Sequence, residues 1–204
     1  MERVQKVTIK QLVDGLTDIP AEEFTIERVA DFLRWKQIDS ASLQPYVYWQ
    51  DSHYTRNLIY KNDLFELIGF CWEIGQGAPI HSHNQQYCWM IVQEGTLSVT
   101  NYHMIRCDID QNRLPVGVAS GVNTVELVQT TQFPLRSVGM VTWADKETEI
   151  HSVINLPEFH QRAISVHVYS RPFDSCMIYD LVKRQCQRIP LSYYSTYGKK
   201  CHDG

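Results

Sequence analysis

Two of the chain's eight histidines stand one residue apart, in Pro79-Ile80-His81-Ser82-His83. On an extended strand alternate side chains share a face, so both imidazoles project into one space. Two rings forced together repel if protonated but suit a metal ion, which takes them neutral. An isolated His-x-His pair is also found on exposed strands with no task, so its surroundings decide. A second group lies in the stretch 163–169, where Ser165, His167 and Tyr169 fall on one face and Ile164, Val166 and Val168 on the other. Alone, such a polar face is the solvent side of a strand; beside a strand that carries a metal it becomes a pocket wall. Arg56 taken singly reads as a surface ion pair.

Gly75, five residues, His81-Ser82-His83, four residues, Cys88, six residues and Gly95 reproduce the first motif of the cupin superfamily. That motif normally carries Glu where Cys88 stands. The second motif should end in His, three residues and Asn, as His151-Ser152-Val153-Ile154-Asn155 does. Upstream, Gly139 matches the expected Gly, while the Pro and second Gly are absent and the spacing is one residue off. By resemblance and by type His151 is the third imidazole. Without the glutamate the shell has no anion, in contrast to a 2-His-1-carboxylate iron site, and the full charge of a divalent metal attracts an anionic ligand such as a thiolate. Zinc is compatible with three histidines as well.

Cys88 in place of that glutamate makes the chain similar to the mammalian-type cysteine dioxygenases. The likeness runs from about Tyr54 to Gly198 through Tyr54-Thr55-Arg56-Asn57-Leu58, Phe70-Cys71-Trp72, Ile150-His151-Ser152-Val153-Ile154-Asn155 and Ser165-Val166-His167-Val168-Tyr169-Ser170, then Pro172-Phe173-Asp174-Ser175-Cys176. The resemblance implies Fe(II) held by His81, His83 and His151. It also implies that both atoms of O2 are added to the thiolate of L-cysteine, giving cysteine sulfinic acid. By the same resemblance Arg56 pairs with the substrate carboxylate, helped by Tyr54. Tyr169 acts at the reacting oxygen and is held by His167 and Ser165. Cys88 joins Tyr169 through a thioether.

The chain departs from the family at Tyr169-Ser170-Arg171-Pro172, where Ser-Pro-Pro is usual. A non-proline bond at 170–171 is expected to be trans, because cis costs about 3 kcal/mol more there than before proline. Arg171 is expected to face solvent. Were it to reach the substrate end, it would favour another thiol acid such as 3-mercaptopropionate. Arg56 argues against cysteamine, which has no carboxylate. A metal-binding cupin without turnover and a zinc hydrolase are the other readings. The second lacks a general-base carboxylate beside the histidine motifs.

These residues need a scaffold, and the sequence supplies a β one. Stretches 56–60, 64–72, 88–93, 97–103, 137–142, 148–154, 162–169, 177–181 and 188–191 are rich in Val, Ile, Tyr, Phe and Thr and bounded by turn residues. Many short strands without long helices between them predict a cupin-type jelly-roll β-barrel or sandwich over 51–204. The stretch 108–133, polar and mixed, is expected to be a hairpin with a loop. Residues 1–50 read as a short helical arm packed on the barrel, in one structural domain with it. Leu12, Val13 and Leu16 face one way; Ile26, Val29, Ala30, Phe32 and Leu33 form a stripe behind a Thr25 cap; a third short helix spans 41–49.

Composition agrees: 44% of residues are hydrophobic, and 19 basic against 23 acidic residues give a net charge of −4. That mildly acidic balance offers no electrostatic footprint for nucleic acid or an anionic membrane. No run approaches a transmembrane length, and the first residues lack a signal-peptide pattern. The six cysteines form no CxxC pair, which fits a reducing cytoplasm. With no exposed apolar helix, a monomer is expected.

Overall fold

A computed structural model describes residues 4–136, 140–144 and 150–201. The arm comprises β1 (Gln5–Val7), α1 (Ile9–Thr17), α2 (Ile26–Leu33), β2 (Lys36–Ile38) and α3 (Ser40–Leu43). Thr8 and Gln11 close a reciprocal capping box on α1, and Thr25 Oγ1 accepts from Arg28 N at the start of α2. Gly15 lets the two helices touch, since a Cβ there would lie 2.6 Å from the Phe32 ring. The arm is not wholly helical: β1 and β2 pair in parallel, and beyond α3 a 3₁₀ turn over Gln44–Tyr46 replaces the end of the expected third helix.

The barrel follows with β3 (Thr55–Lys61), β4 (Glu66–Trp72), β5 (Gly77–His81), β6 (Tyr87–Glu94), β7 (Thr96–Cys107), β8 (Val125–Arg136), β9 (Thr142–Ala144), β10 (Ile150–Ile154), β11 (Ala163–Ser170), β12 (Ser175–Asp180), β13 (Gln185–Pro190), β14 (Ser195–Thr196) and β15 (Lys199–Lys200). One sheet runs β13-β12-β5-β10-β7-β8, the other β15-β14-β3-β4-β11-β6-β9. Their inner faces share a core of Ile68, Phe70, Met90 and Val92 from one sheet and Leu97, Val99, Leu135 and Val153 from the other. This is the expected cupin-type jelly roll. The 108–133 stretch is half loop and half strand, because β8 begins at Val125 and pairs with β7 along its length. Of the expected strands at 137–142 and 148–154, residues 137–139, 148 and 149 lie outside the described residues, as does Gly139 of the second motif.

The seven-stranded sheet is buried on both faces. Leu67, Trp89, Ile91, Val166 and Val168 turn outward and meet Leu12, Leu16, Phe24, Val29 and Leu33 of the arm. Phe24 stacks on Phe65 at 5.5 Å and meets Trp89 edge-on at 5.8 Å, while the Trp89 indole N–H donates to Ile26 O at 3.0 Å. That double burial explains why β4 reads as one apolar run rather than an alternating strand.

Two motif residues owe their identity to this frame. Gly95 has φ +78 between β6 and β7, and a Cβ there would lie 2.3 Å from Arg162 O, so glycine alone fits. Asn155 is fully buried and its amide donates to Trp72 O, Glu73 O and Gln161 O. It ties the end of β10 to the turn that leads into β5. Removing the Phe24 ring should cost about 3–5 kcal/mol. We therefore expect Phe24→Ala to lower the urea midpoint in a single cooperative transition, as it would if arm and barrel unfold together; two separate transitions would make the arm an independent unit.

Candidate metal and thiol site

Register brings the histidines together. His81 at the end of β5 pairs with His151 of β10, and His83 follows in the turn before β6. The three rings form a nearly equilateral triangle, with centroids 4.9, 4.8 and 4.8 Å apart and planes crossing at 75°, 79° and 74°. One ligand atom from each lies within 4.8 Å of the others. The His81 Nδ1–H donates to Pro79 O at 2.8 Å, which fixes the tautomer and leaves Nε2 as the ligand lone pair. Burial pulls the pKa of His81 down to about 4 and that of His151 well below the usual value. Three neutral imidazoles are the donor set a divalent transition metal takes, so the residues fit such an ion.

The opposite wall comes from three adjacent strands read in rows. Across β6, β11 and β4, Cys88 is paired with Tyr169 and Tyr169 with Glu66; one step along, Met90, His167 and Ile68 align. Cross-strand partners share a face, so Cys88 and Tyr169 are direct neighbours. The Trp72 indole N–H donates to Ser165 Oγ at 2.9 Å, Ser165 Oγ lies 2.9 Å from His167 Nε2, and His167 Nδ1 lies 3.2 Å from Tyr169 Oη. An indole N–H can only donate. The run satisfied throughout therefore has the Ser165 hydroxyl donating to Nε2 and His167 Nδ1–H donating to Tyr169. The phenol hydrogen then remains for the neighbouring Cys88 thiol or for a bound molecule, while Cys88 Sγ itself lies 3.9 Å from His167 Nδ1. Burial holds His167 neutral, keeps the Tyr169 phenol protonated by raising its pKa far above the usual value, and pushes the Cys88 thiol up as well.

Between the walls lies a chamber of about 80 Å³, lined among others by the three histidines, Tyr54, Arg56, Trp72, His167 and Tyr169. It is far smaller than an ordinary ligand pocket, so only a small molecule can enter it. Arg56 projects into it from β3 with Nε and Nη1 buried and without a hydrogen-bond partner among the described residues. Its guanidinium faces the Phe70 ring at 5.8 Å and the Tyr193 ring at 5.7 Å. Tyr54 stacks on Trp72 at 4.6 Å beside it. Cys176 also lines the chamber, its thiol pushed up to about 11 by burial and so protonated at neutral pH.

All nine residues singled out from the sequence meet here: His81, His83 and His151 at one side, Ser165, His167, Tyr169 and Cys88 at the other, and Tyr54 and Arg56 between them. Two expectations at the tyrosine's exit fared differently. The Ser170–Arg171 bond is cis, not trans, with Arg171 N–H donating to Gln86 Oε1 at 2.7 Å. That bond holds the residue in a tight turn directly after β11. Arg171 is exposed and lies with Asp63 and Pro172 in a separate surface groove. Sequence reasoning missed the donor role of Trp72, and it missed Glu66, fully buried at an inward position of β4 with Ile68, Phe70 and Trp72. The available signal was a single acidic residue at the head of an otherwise apolar run.

The model of the family described as cysteine dioxygenase type I matches residues 1–182. The chain belongs to that family. Cysteine dioxygenase type 1 of Bos taurus is 25% identical over 205 residues, covering 98% of this chain and 94% of that protein. The Rattus norvegicus protein is 26% identical over 203 residues (97% and 93%), and that of Danio rerio 24% over 201 (98% and 92%). Among solved structures, a double-stranded β-helix protein of Klebsiella pneumoniae has a TM-score of 0.44 at 16% identity, covering 68% of this chain and 95% of its own. A cupin from Desulfovibrio desulfuricans has 0.41 at 17%, covering 62% and 91%. Membership in the family makes the chain an enzyme of the dioxygenase type, with a three-histidine group able to hold a metal ion. No helix among the described residues is long and apolar enough to cross a membrane.

The lowered histidines also set a pH dependence. A ring with a folded pKa near 4 and an unfolded one near 6.5 binds fewer protons when folded, so acid favours the unfolded chain between those values. Metal-free protein should therefore lose thermal stability as pH falls from about 6.5 toward 4, and His81→Gln should flatten that slope. An equally steep slope in the variant would show that His81 is not buried neutral.

Proposed function

We propose that this enzyme is an Fe(II)-dependent dioxygenase that adds both atoms of O2 to the thiolate of L-cysteine, giving cysteine sulfinic acid. The observation that carries this reading is Arg56, with its Nε and Nη1 buried and unpaired among the described residues, in the same small chamber as three clustered imidazoles. A thiol at one end and a carboxylate at the other match that pair of anchors. The reaction balances without a further reductant, since the substrate sulfur supplies the electrons.

His81, His83 and His151 would hold the ion, which supplies the Lewis-acid and redox chemistry that turns dioxygen toward a thiolate. Arg56 binds the carboxylate by a forked, charge-assisted contact. Anchoring both ends fixes the sulfur in one place and removes most of its freedom before reaction. Tyr169, kept protonated by burial and oriented through His167, Ser165 and Trp72, donates its hydroxyl hydrogen toward oxygen arriving at the sulfur. Phe70, Trp72 and Phe173 exclude water. Cys88 and Tyr169, neighbours in register, form a thioether that fixes the phenol ring. Dioxygen takes up the two electrons released with the Cys88 S–H and one ring C–H hydrogen. The small chamber, with no assembly partner needed to complete it, suits a monomer working on a free small molecule.

A second reading follows from the chamber lining, which includes no carboxylate among the described residues to meet the ammonium of cysteine. A mercapto acid without an amine, such as 3-mercaptopropionate, would satisfy Arg56 equally.

Oxygen uptake by iron-loaded protein with cysteine, 3-mercaptopropionate and cysteamine, with products weighed by mass spectrometry, separates these. Cysteine plus two oxygen atoms as the main product supports the first reading. Uptake with 3-mercaptopropionate alone moves the substrate, and no uptake with bound iron rejects thiol oxidation. His151→Ala should lose iron and activity together. Arg56→Ala should lower kcat/KM for cysteine by about 1.5–3 kcal/mol, roughly 10- to 150-fold, while leaving iron in place.

A further inference from the structure

A buried carboxylate stands next to the tyrosine wall and takes no part in the reaction described above. Glu66 has 0% of its surface exposed. In register it flanks Tyr169 on the side away from Cys88. Its Oε2 accepts from Tyr193 Oη–H at 2.5 Å and lies 3.8 Å from Lys61 Nζ. Its Oε1 is buried without a hydrogen-bond partner among the described residues. A carboxylate is costly to hide in a barrel lined by Ile68 and Phe70 and finds there only one close hydrogen bond.

What that hydrogen bond fixes is the ring of Tyr193. The ring packs against the barrel core with its centroid 5.7 Å from the Arg56 guanidinium, and the Phe70 centroid lies 5.8 Å from the same group. Arg56 is thus within cation–π reach of two aromatic rings and has neither Nε nor Nη1 tied by a hydrogen bond among the described residues. Phe70 belongs to the neighbouring strand and is held by the sheet. Tyr193 belongs to the irregular segment between β13 and β14 and needs another tether. Arg56 also lines an outer cavity of about 470 Å³ together with His53, Tyr193 and Cys201. Arg56 is shared by the linings of this cavity and the inner chamber, whereas Tyr193 lines the outer cavity alone.

We propose that Glu66, acting through Tyr193, is a positioning residue that aims Arg56 at the substrate carboxylate, a role that rests on the thiol-acid reading above. The hydroxyl contact locks the ring, the ring restrains the guanidinium by cation–π attraction, and the unpaired nitrogens are left presented to the chamber. Glu66 touches neither substrate nor metal. Its effect is on selectivity for thiols that carry a carboxylate, not on the chemical step.

The test is anaerobic calorimetry of iron-loaded protein with 3-mercaptopropionate and with cysteamine, which differ in whether they offer Arg56 a carboxylate. Wild type should bind the acid more tightly than the amine. Tyr193→Phe, which keeps the ring, and Glu66→Leu, which keeps the volume, should each narrow that gap roughly five- to tenfold. Glu66→Gln, which still offers Tyr193 an acceptor, should restore it to within about twofold. Equal binding of both thiols by wild type would sink the Arg56 reading itself, and the positioning role with it. A wild-type gap that survives in Tyr193→Phe would overturn the positioning role alone. So would a loss of affinity equal for both thiols, which is the mark of general loosening. Should Glu66→Leu fail to fold, Tyr193→Phe decides.

Discussion

Three imidazoles meeting within 4.8 Å of one another repel if more than one is charged, and they offer lone pairs to a metal only when neutral. Nearly everything else in the barrel serves that condition. Antiparallel pairing of β5 with β10 delivers two rings to one point, the turn after β5 delivers the third, and burial lowers the proton affinity of His81 and His151. Pro79 O then selects the nitrogen that points inward on His81. The same desolvation, applied to Tyr169 on the facing wall, holds a phenol in its neutral donor form. One dry interior thus sets opposite groups in complementary states: bases without protons on one side, an acid that keeps its own on the other.

The wall itself is a matter of register. Ser165, His167 and Tyr169 occupy alternate positions of β11, so their hydrogen bonds run along a strand, while Cys88 and Glu66 reach Tyr169 across it. A slip of one residue would turn all of them onto the arm and bring Ile164, Val166 and Val168 inside. The apolar outward face guards against that slip, because those three residues are what the arm packs against. Catalytic geometry and arm docking are two faces of one strand.

How much of this was legible beforehand followed from the length of each pattern. The spacing of His81 and His83 carried the first motif, His151 and the roles of Ser165, His167 and Tyr169 came from the family resemblance, and the barrel from its many short strands. Elements of three residues such as β1 and β2 are too short to show a period. β5 was hidden by its Gly77 and Pro79, and the middle of β8 by Gln129, Thr130, Thr131 and Gln132, which are exposed on an edge strand. Glu66 was opaque for a different reason. β4 is covered on both faces, so no alternation marks its inward positions, and the residue that explains Glu66 comes 127 positions later in the sequence.

The covered outer face of β4, β6 and β11 has a consequence for how the chain assembles. The arm's apolar stripes are made before the barrel strands, and their docking floor is incomplete until Val166 and Val168 have been added, more than a hundred residues after Leu33. Until then Leu12, Leu16, Phe24 and Val29 have no native partner, and short helices of this length do not persist alone in water. The arm–sheet contacts are therefore of high contact order, and the arm is among the last segments to find its place. A nascent chain carries the arm's apolar stripes uncovered while the barrel strands are still being added, and shielding them falls to whatever holds unfinished chains in solution.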